Sequence, residues 1–106
     1  FNPDTCEIEI DKSIENTLDG CYTLLHEFYH ANDYREGKYK KFFAMDDGEI
    51  YSDAKLELII EAELSAAKQA QKRLRVYGID YTPVELTKQG YKDCIKFWKK
   101  YYFRKN

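Results

Sequence analysis

The only two histidines of the chain lie four residues apart, in the stretch His26-Glu27-Phe28-Tyr29-His30. On an α-helix, residues with this spacing share one face, with Cβ atoms about 5–6 Å apart. Two imidazoles can therefore bind one tetrahedral metal ion, while Glu27 lies beside the ion without binding it and can take a proton from water on the metal. The pattern predicts one Zn²⁺ ion held by His26 and His30, with Glu27 as the general base.

A purely structural role for two histidines on a surface helix is the alternative interpretation. The flanking residues argue against it, because they form two apolar stripes, and a helix that is apolar on several sides is a buried one. Buried histidines need partners, since burying unsatisfied polar groups is costly. The stripes are Leu18, Tyr22, Leu25 and Tyr29, and Cys21, Leu24, Phe28 and Ala31.

A catalytic zinc site needs a third protein ligand and leaves one position open for water. The chain has no third histidine, so we expect a carboxylate from the predicted helix 52–77. Glu57 and Glu61 share a face with two lysines, which is typical of a solvent-exposed surface. Glu63 falls in the middle of the apolar face, where a carboxylate is costly unless it is paired or bound to metal. We therefore predict Glu63 as the third ligand, with Glu61 and then Glu36 as alternatives.

The His26–His30 motif followed by Glu63-Leu64-Ser65-Ala66 resembles the gluzincin metallopeptidases, whose glutamate ligand has alanine or serine three residues later. The small size is most similar to the archaeal minigluzincins, soluble relatives of the catalytic domains of membrane CAAX-type metallopeptidases. The resemblance extends over about residues 6 to 78. It implies an α+β fold with a small mixed β-sheet and three main helices: the metal-binding helix, the glutamate helix and a C-terminal helix. It also implies one zinc ion and peptide-bond hydrolysis.

The chain departs from the gluzincin pattern at Ala67, where many members carry Asp or Asn that supports a ligand histidine. Losing such a partner typically weakens metal binding or activity roughly 10- to 100-fold, so we expect weak activity or a substitute such as a backbone carbonyl. Minigluzincins also resemble latent forms whose terminal segments obstruct the cleft. In this chain Phe1 to Thr5 and Trp98 to Asn106 are the segments that could do so.

The N-terminal third predicts a strand and the start of the metal-binding helix. Cys6 to Asp11 alternates apolar and acidic residues, which indicates a strand with one buried face. Such an edge either holds an extended peptide or is an ordinary edge protected by its charges. Asn16 or Thr17 can cap the following helix, with Asp19 favourably placed in its first turn.

The remaining elements follow from turn and capping residues. Asp46-Asp47-Gly48 predicts either a hairpin or an irregular loop. Ser52 caps the glutamate helix, and Gly78 ends it. Thr82-Pro83-Val84-Glu85 is a capping box with proline at the first helical position, and it predicts a last helix over residues 82–101.

Composition limits the function classes. With 106 residues and 43% hydrophobic content, the chain is expected to form a single domain, residues 1–106. A net charge of −2 argues against nucleic-acid binding, and no apolar run is long enough to span a membrane. Cys6, Cys21 and Cys94 lack metal-binding spacing, so a cytoplasmic location fits best, although a bridge between Cys6 and Cys21 stays open.

These observations favour a zinc-dependent endopeptidase that acts on peptide or protein substrates, in a latent form with a terminal segment in the cleft. The alternative is a regulatory metal-binding protein that retains the site with little or no turnover. A third hypothesis is an interaction module built on the aromatic C-terminal helix, which predicts no zinc. The second group that stabilises the oxyanion is not assigned, with Tyr51 and Tyr77 as unassigned candidates.

Overall fold

The computed structural model describes residues 1–5, 7–8, 12–14, 17–45 and 53–102, which are predominantly helical. Short 3₁₀ helices lie at Lys12–Ile14 and Val84–Leu86. The α-helices are α1 (Leu18–Arg35), α2 (Lys40–Phe43), α3 (Asp53–Val76) and α4 (Lys88–Tyr102). None of these helices is both long enough and apolar enough to cross a membrane.

The predicted α+β fold with a mixed sheet is wrong, because 74% of the described residues are helix and 2% are strand. Among the described residues, extended pairing is limited to one antiparallel bridge, in which Asn2 N donates to Glu7 O at 2.9 Å. A short apolar–acidic alternation forms a sheet only when a second extended segment pairs with it, and no such partner exists in the described part of the chain. Cys6, residues 9–11, the predicted turn at residues 46–48 and the Ser52 cap lie outside the described residues.

Helix α1 begins where the capping residues predict. Thr17 is the N-cap, and its Oγ1 accepts a hydrogen bond from Gly20 N at 2.9 Å. The predicted burial of the second stripe is wrong, because Leu24 and Phe28 are 47% and 50% exposed. The first stripe does face α3, where Tyr22 is buried and Leu25 and Tyr29 pack against the same cluster. The buried face of α1 also carries polar side chains, so apolar residues alone do not mark the interface. The buried residues are Gly20, Tyr22, His26, His30 and Asp33.

The end of α3 confirms the predicted glycine stop. Gly78 has φ +77°, a conformation that is favourable only for glycine and a few polar residues. Its amide donates to Arg75 O at 2.9 Å, and Ile79 N donates to Leu74 O at 3.0 Å. This pair of bonds is the Schellman motif, which satisfies the last carbonyl groups of a helix.

Alanines let α3 pack closely on α1, as the sequence predicts for the face around Glu63. Two apolar clusters lie along α3, one on each side of Glu63. The first comprises Tyr22, Ala67, Ala70 and Leu74, and the second comprises Phe42, Ile59, Ala62 and Trp98. The Glu63 carboxylate therefore lies on α3 between two packed apolar clusters.

The predicted single helix over residues 82–101 is broken in two. The 3₁₀ helix Val84–Leu86 comes first, and Thr87 then caps α4, with Gly90 N donating to Thr87 Oγ1 at 3.1 Å. A Cβ at Gly90 would overlap the carbonyl oxygen of Val84, so glycine permits this tight turn. The predicted capping box is wrong, because Pro83 and not Thr82 is the N-cap of this 3₁₀ helix and no side chain caps it by a hydrogen bond.

Candidate metal centre

The packing of α1 on α3 brings His26, His30 and Glu63 into one group. His26 Nε2 lies 2.9 Å from Glu63 Oε2 and 3.1 Å from His30 Nε2. His30 Nε2 lies 3.3 Å from the same Glu63 oxygen. One nitrogen of each histidine and one oxygen of the glutamate therefore converge on a common point.

These three distances fit the donor set of a zinc site. A tetrahedral ion with bonds of about 2.0–2.1 Å spaces its ligand atoms about 3.3–3.4 Å apart. The observed separations of 2.9, 3.1 and 3.3 Å need only small outward shifts to reach that spacing. Two imidazoles and one carboxylate are also a ligand set that zinc commonly accepts.

The group is well shielded from solvent. His26 and His30 are 8% and 5% exposed. Burial alone would raise the pKa of the Glu63 carboxyl, but hydrogen bonds and charge interactions with the two histidines outweigh it and lower the pKa to about 2. Glu63 is therefore ionised at neutral pH, which is the state that a metal ligand requires.

The other candidate ligands lie elsewhere. Glu57 and Glu61 are exposed on the outer face of α3. Glu36 follows α1 on the surface, where its carboxylate pairs with Lys38 at 2.9 Å and that lysine lowers its pKa. Among the residues predicted from the sequence, Glu63 is thus the carboxylate that reaches both histidines.

Glu27 faces a cleft of about 720 Å³ that also reaches His30 and Glu63. Residues 1–4 form one side of this cleft, and the Glu27 carboxylate contacts the main-chain nitrogen of Phe1. The Phe1 ring is buried, with its centroid 6.1 Å from that of Phe43. The rest of the lining comprises Phe42, Phe43, Ala44, Met45, Phe97 and Trp98.

The two histidines are held in different ways. The His30 ring stacks on Phe42, with centroids 5.7 Å apart and planes 22° apart, and it meets the edge of Phe43. Its Nδ1 is buried and has no hydrogen-bond partner within the described part of the chain. His26, by contrast, has a polar partner for Nδ1, since the Tyr22 hydroxyl lies 2.9 Å away.

Glu85 is a site residue that the sequence analysis missed. Its Oε1 accepts a hydrogen bond from the Tyr22 hydroxyl and lies 3.4 Å from His26 Nδ1. Burial raises the pKa of this carboxyl. The position of Tyr22, one turn before His26, is a signal that could have pointed to a contact between these two side chains. No local pattern indicates Glu85, which is 59 positions beyond His26 along the chain.

Asp33 is a second missed residue. It is fully buried, and its carboxylate accepts hydrogen bonds from Ser65 Oγ at 3.0 Å and from Gln69 Nε2 at 3.2 Å. These bonds tie the end of α1 to α3 one turn beyond His30. Asp33 therefore helps to fix the spacing of the two helices that carry the ligands.

Comparisons with known protein families, with curated proteins and with solved structures found no match. The functional argument consequently rests on the motif and on the geometry described above.

Proposed function

We propose that the protein is a zinc-dependent endopeptidase of the gluzincin type. The observation that carries the proposal is the convergence of His26, His30 and Glu63 beside a cleft that also contains Glu27. An HExxH helix with a glutamate from a second helix is the ligand arrangement of this class of hydrolase. The cleft is large enough for a short stretch of peptide.

In the proposed mechanism, His26, His30 and Glu63 hold one zinc ion. When bound, zinc polarises the scissile carbonyl and lowers the pKa of water at the site. Glu27 accepts a proton from the attacking water molecule while the water oxygen forms a bond to the carbonyl carbon. Glu27 then returns that proton to the leaving nitrogen as the C–N bond breaks. Burial of the ligands strengthens these electrostatic interactions.

We further propose that this form is latent. Residues 1–4 line the cleft, and the main-chain nitrogen of Phe1 contacts the carboxylate that must accept the proton. A substrate has to displace this segment before Glu27 can act. Of the predicted C-terminal segment, Trp98 and neighbouring Phe97 also line the cleft, and residues 103–106 lie outside the described residues.

A metal-binding protein without turnover is the second candidate. Two observations favour it: Ala67 provides no polar support for a ligand, and residues 1–4 fill one side of the cleft. This candidate predicts the same zinc site but no cleavage. Cys21 and Cys94 carry free thiols, and Cys6 lies outside the described residues. We propose a cytoplasmic location for either candidate.

The test compares zinc content and peptide cleavage in the wild type, in Glu27→Gln and in a variant that lacks residues 1–4. We expect about one zinc ion per chain in all three and faster cleavage without residues 1–4. Combining that deletion with Glu27→Gln should lower the rate about 10²- to 10⁴-fold, since this is the usual contribution of a general base. Zinc binding without cleavage in any form would favour the second candidate. Absence of zinc from the wild type after reconstitution would contradict both.

A further inference from the structure

Two side chains lie at the Nδ1 side of the His26 imidazole. One comes from its own helix, and the other comes from the connection between α3 and α4. Metal-binding histidines generally donate their second ring N–H to an acceptor, which fixes the ring orientation and the tautomer. On α3, the position that would support a ligand in gluzincins is Ala67, which has no polar side chain and is fully buried in an apolar cluster. The group nearest to His26 Nδ1 is instead the Tyr22 hydroxyl, with the Glu85 carboxylate behind it.

The number of protons available determines which group donates in the hydrogen bonds between His26, Tyr22 and Glu85. A tyrosine hydroxyl has a single proton to donate and can also accept a hydrogen bond. Because Tyr22 donates its proton to Glu85 Oε1, the 2.9 Å contact with His26 requires Nδ1 to be the donor. In the neutral imidazole, which is the form that binds a metal ion, Nε2 then carries the lone pair. Nε2 is also the atom that faces Glu63 and His30.

Glu85 does not belong to the ligand group itself. Its oxygen approaches His26 from the Nδ1 side, at 3.4 Å, whereas the converging atoms are on the Nε2 side of the ring. Its side chain is only 10% exposed, which keeps water from replacing the tyrosine as its hydrogen-bond partner. Pro83 and the 3₁₀ helix Val84–Leu86 bring this carboxylate to the site from the connection between α3 and α4.

We propose that Tyr22 and Glu85 are positioning residues that hold His26 in the metal-binding tautomer, through the series His26 Nδ1–H to Tyr22 Oη–H to the Glu85 carboxylate. This inference rests on the proposed metal site. The series combines side chains from two distant parts of the chain, with Tyr22 on α1 and Glu85 in the connection between α3 and α4.

The test is a measurement of the zinc dissociation constant by competition with a chromophoric chelator, together with the visible spectrum of the Co²⁺-substituted protein. Tyr22→Phe is the decisive variant, because it keeps the ring and its packing and removes only the hydroxyl. Tyr81→Phe is the matched control, since that ring packs 5.1 Å from Tyr22 while its hydroxyl binds Asp19 instead. We expect Tyr22→Phe to weaken zinc binding roughly 10- to 100-fold and to change the Co²⁺ spectrum, and Tyr81→Phe to do neither.

The carboxylate is tested by two substitutions of different severity. Glu85→Leu should weaken zinc binding about as much as Tyr22→Phe, whereas Glu85→Gln should recover much of the loss because its amide oxygen still accepts from the tyrosine. Combining Tyr22→Phe with Glu85→Leu should give little further loss beyond that of Tyr22→Phe alone, because the two residues act in series. Additive losses would overturn the series arrangement.

The two proposals fail in distinguishable ways. If the wild type binds zinc and Tyr22→Phe binds it equally tightly with an unchanged Co²⁺ spectrum, the positioning role is refuted while the metal site stands. If the wild type binds neither zinc nor Co²⁺, the metal site is refuted, and the positioning role with it. Circular dichroism of each variant verifies that the helices are retained.

Discussion

Replacing Glu63 with glutamine tests the proposed ligand set with the least change in shape. The substitution keeps the side-chain volume between the two apolar clusters and removes the negative charge that lies 2.9 and 3.3 Å from the two Nε2 atoms. A neutral amide oxygen is a much poorer zinc ligand than a carboxylate. Glu61→Gln is the matched control, because it makes the same chemical change two residues away on the exposed face of α3.

The expected effect can be calculated as a shift in melting temperature. A ligand at 100 times its dissociation constant stabilises the folded state by about 2.7 kcal/mol. For a domain of about 100 residues this corresponds to roughly 10–20 °C, since each kcal/mol shifts the melting temperature by about 4–8 °C. If Glu63→Gln weakens binding 100-fold, the same zinc concentration provides only about 0.4 kcal/mol, or roughly 2–3 °C.

The assay is a thermal melt of chelator-treated protein, measured by circular dichroism with and without zinc at that fixed free concentration. Wild type and Glu61→Gln should show the full upward shift, and Glu63→Gln should lose most of it. Removing zinc with a chelator should return the first two proteins to their metal-free melting temperatures. A full shift in Glu63→Gln would refute the ligand assignment, and a lost shift in Glu61→Gln would refute the argument from helix faces.

Three further predictions concern the elements around the site. Asp33→Asn places an amide opposite two donors from α3, so the free energy of unfolding in urea should fall by about 1–3 kcal/mol; an unchanged midpoint would contradict the structural role of this carboxylate. Gly90→Ala forces a Cβ into a carbonyl oxygen and should lower the free energy of unfolding by about 3 kcal/mol or more. Gly78 has open space around it but a φ of +77°, so Gly78→Ala should lower that free energy by about 1–2 kcal/mol. Equal losses in the two variants would contradict the steric argument. Burial, and then the hydrogen bond to Asp19, raise the pKa of Tyr81 to about 12. Its contribution to stability is therefore present below pH 10 and lost as the pH rises toward 12. Asp19→Asn should lower that pKa part of the way toward its usual value near 10, as measured by NMR of ¹³C-labelled tyrosine. An unchanged pKa would show that the hydrogen bond to Asp19 does not raise it.

Much of the ligand geometry follows from local spacing in the sequence. The separation of His26 and His30 by one helical turn is a property of any α-helix. Glu63 differs from Glu61 in lying on the apolar face of the helix, and the same reasoning accounts for the exposure of Glu61. Thr17 and Gly78 mark helix ends because their local hydrogen bonds and backbone angles are needed there whatever the rest of the chain does.

The predicted sheet failed for the opposite reason. A strand is stabilised by a partner that is distant in sequence, so a short alternation such as Cys6 to Asp11 cannot show whether that partner exists. The second stripe of α1, which contains Leu24 and Phe28, is mispredicted for a related reason. Polar side chains also occupy the interface with α3, and hydrophobic periodicity does not detect the part of it made by His26, His30 and Asp33.

Glu85 combines a local pattern that predicts a helix cap with a tertiary contact to Tyr22 that the sequence does not indicate. Locally it completes the pattern of a capping box, and that pattern would turn its carboxylate toward the backbone at the start of a helix. The structure has a different arrangement, in which Pro83 precedes a short 3₁₀ helix without a side-chain cap and Thr87 donates its hydroxyl to Val84 O at 2.7 Å. Gly90 leaves room for that carbonyl group. The carboxylate of Glu85 accepts a hydrogen bond from Tyr22, so a residue whose local pattern indicates a helix cap contributes through its tertiary position to the partners of His26.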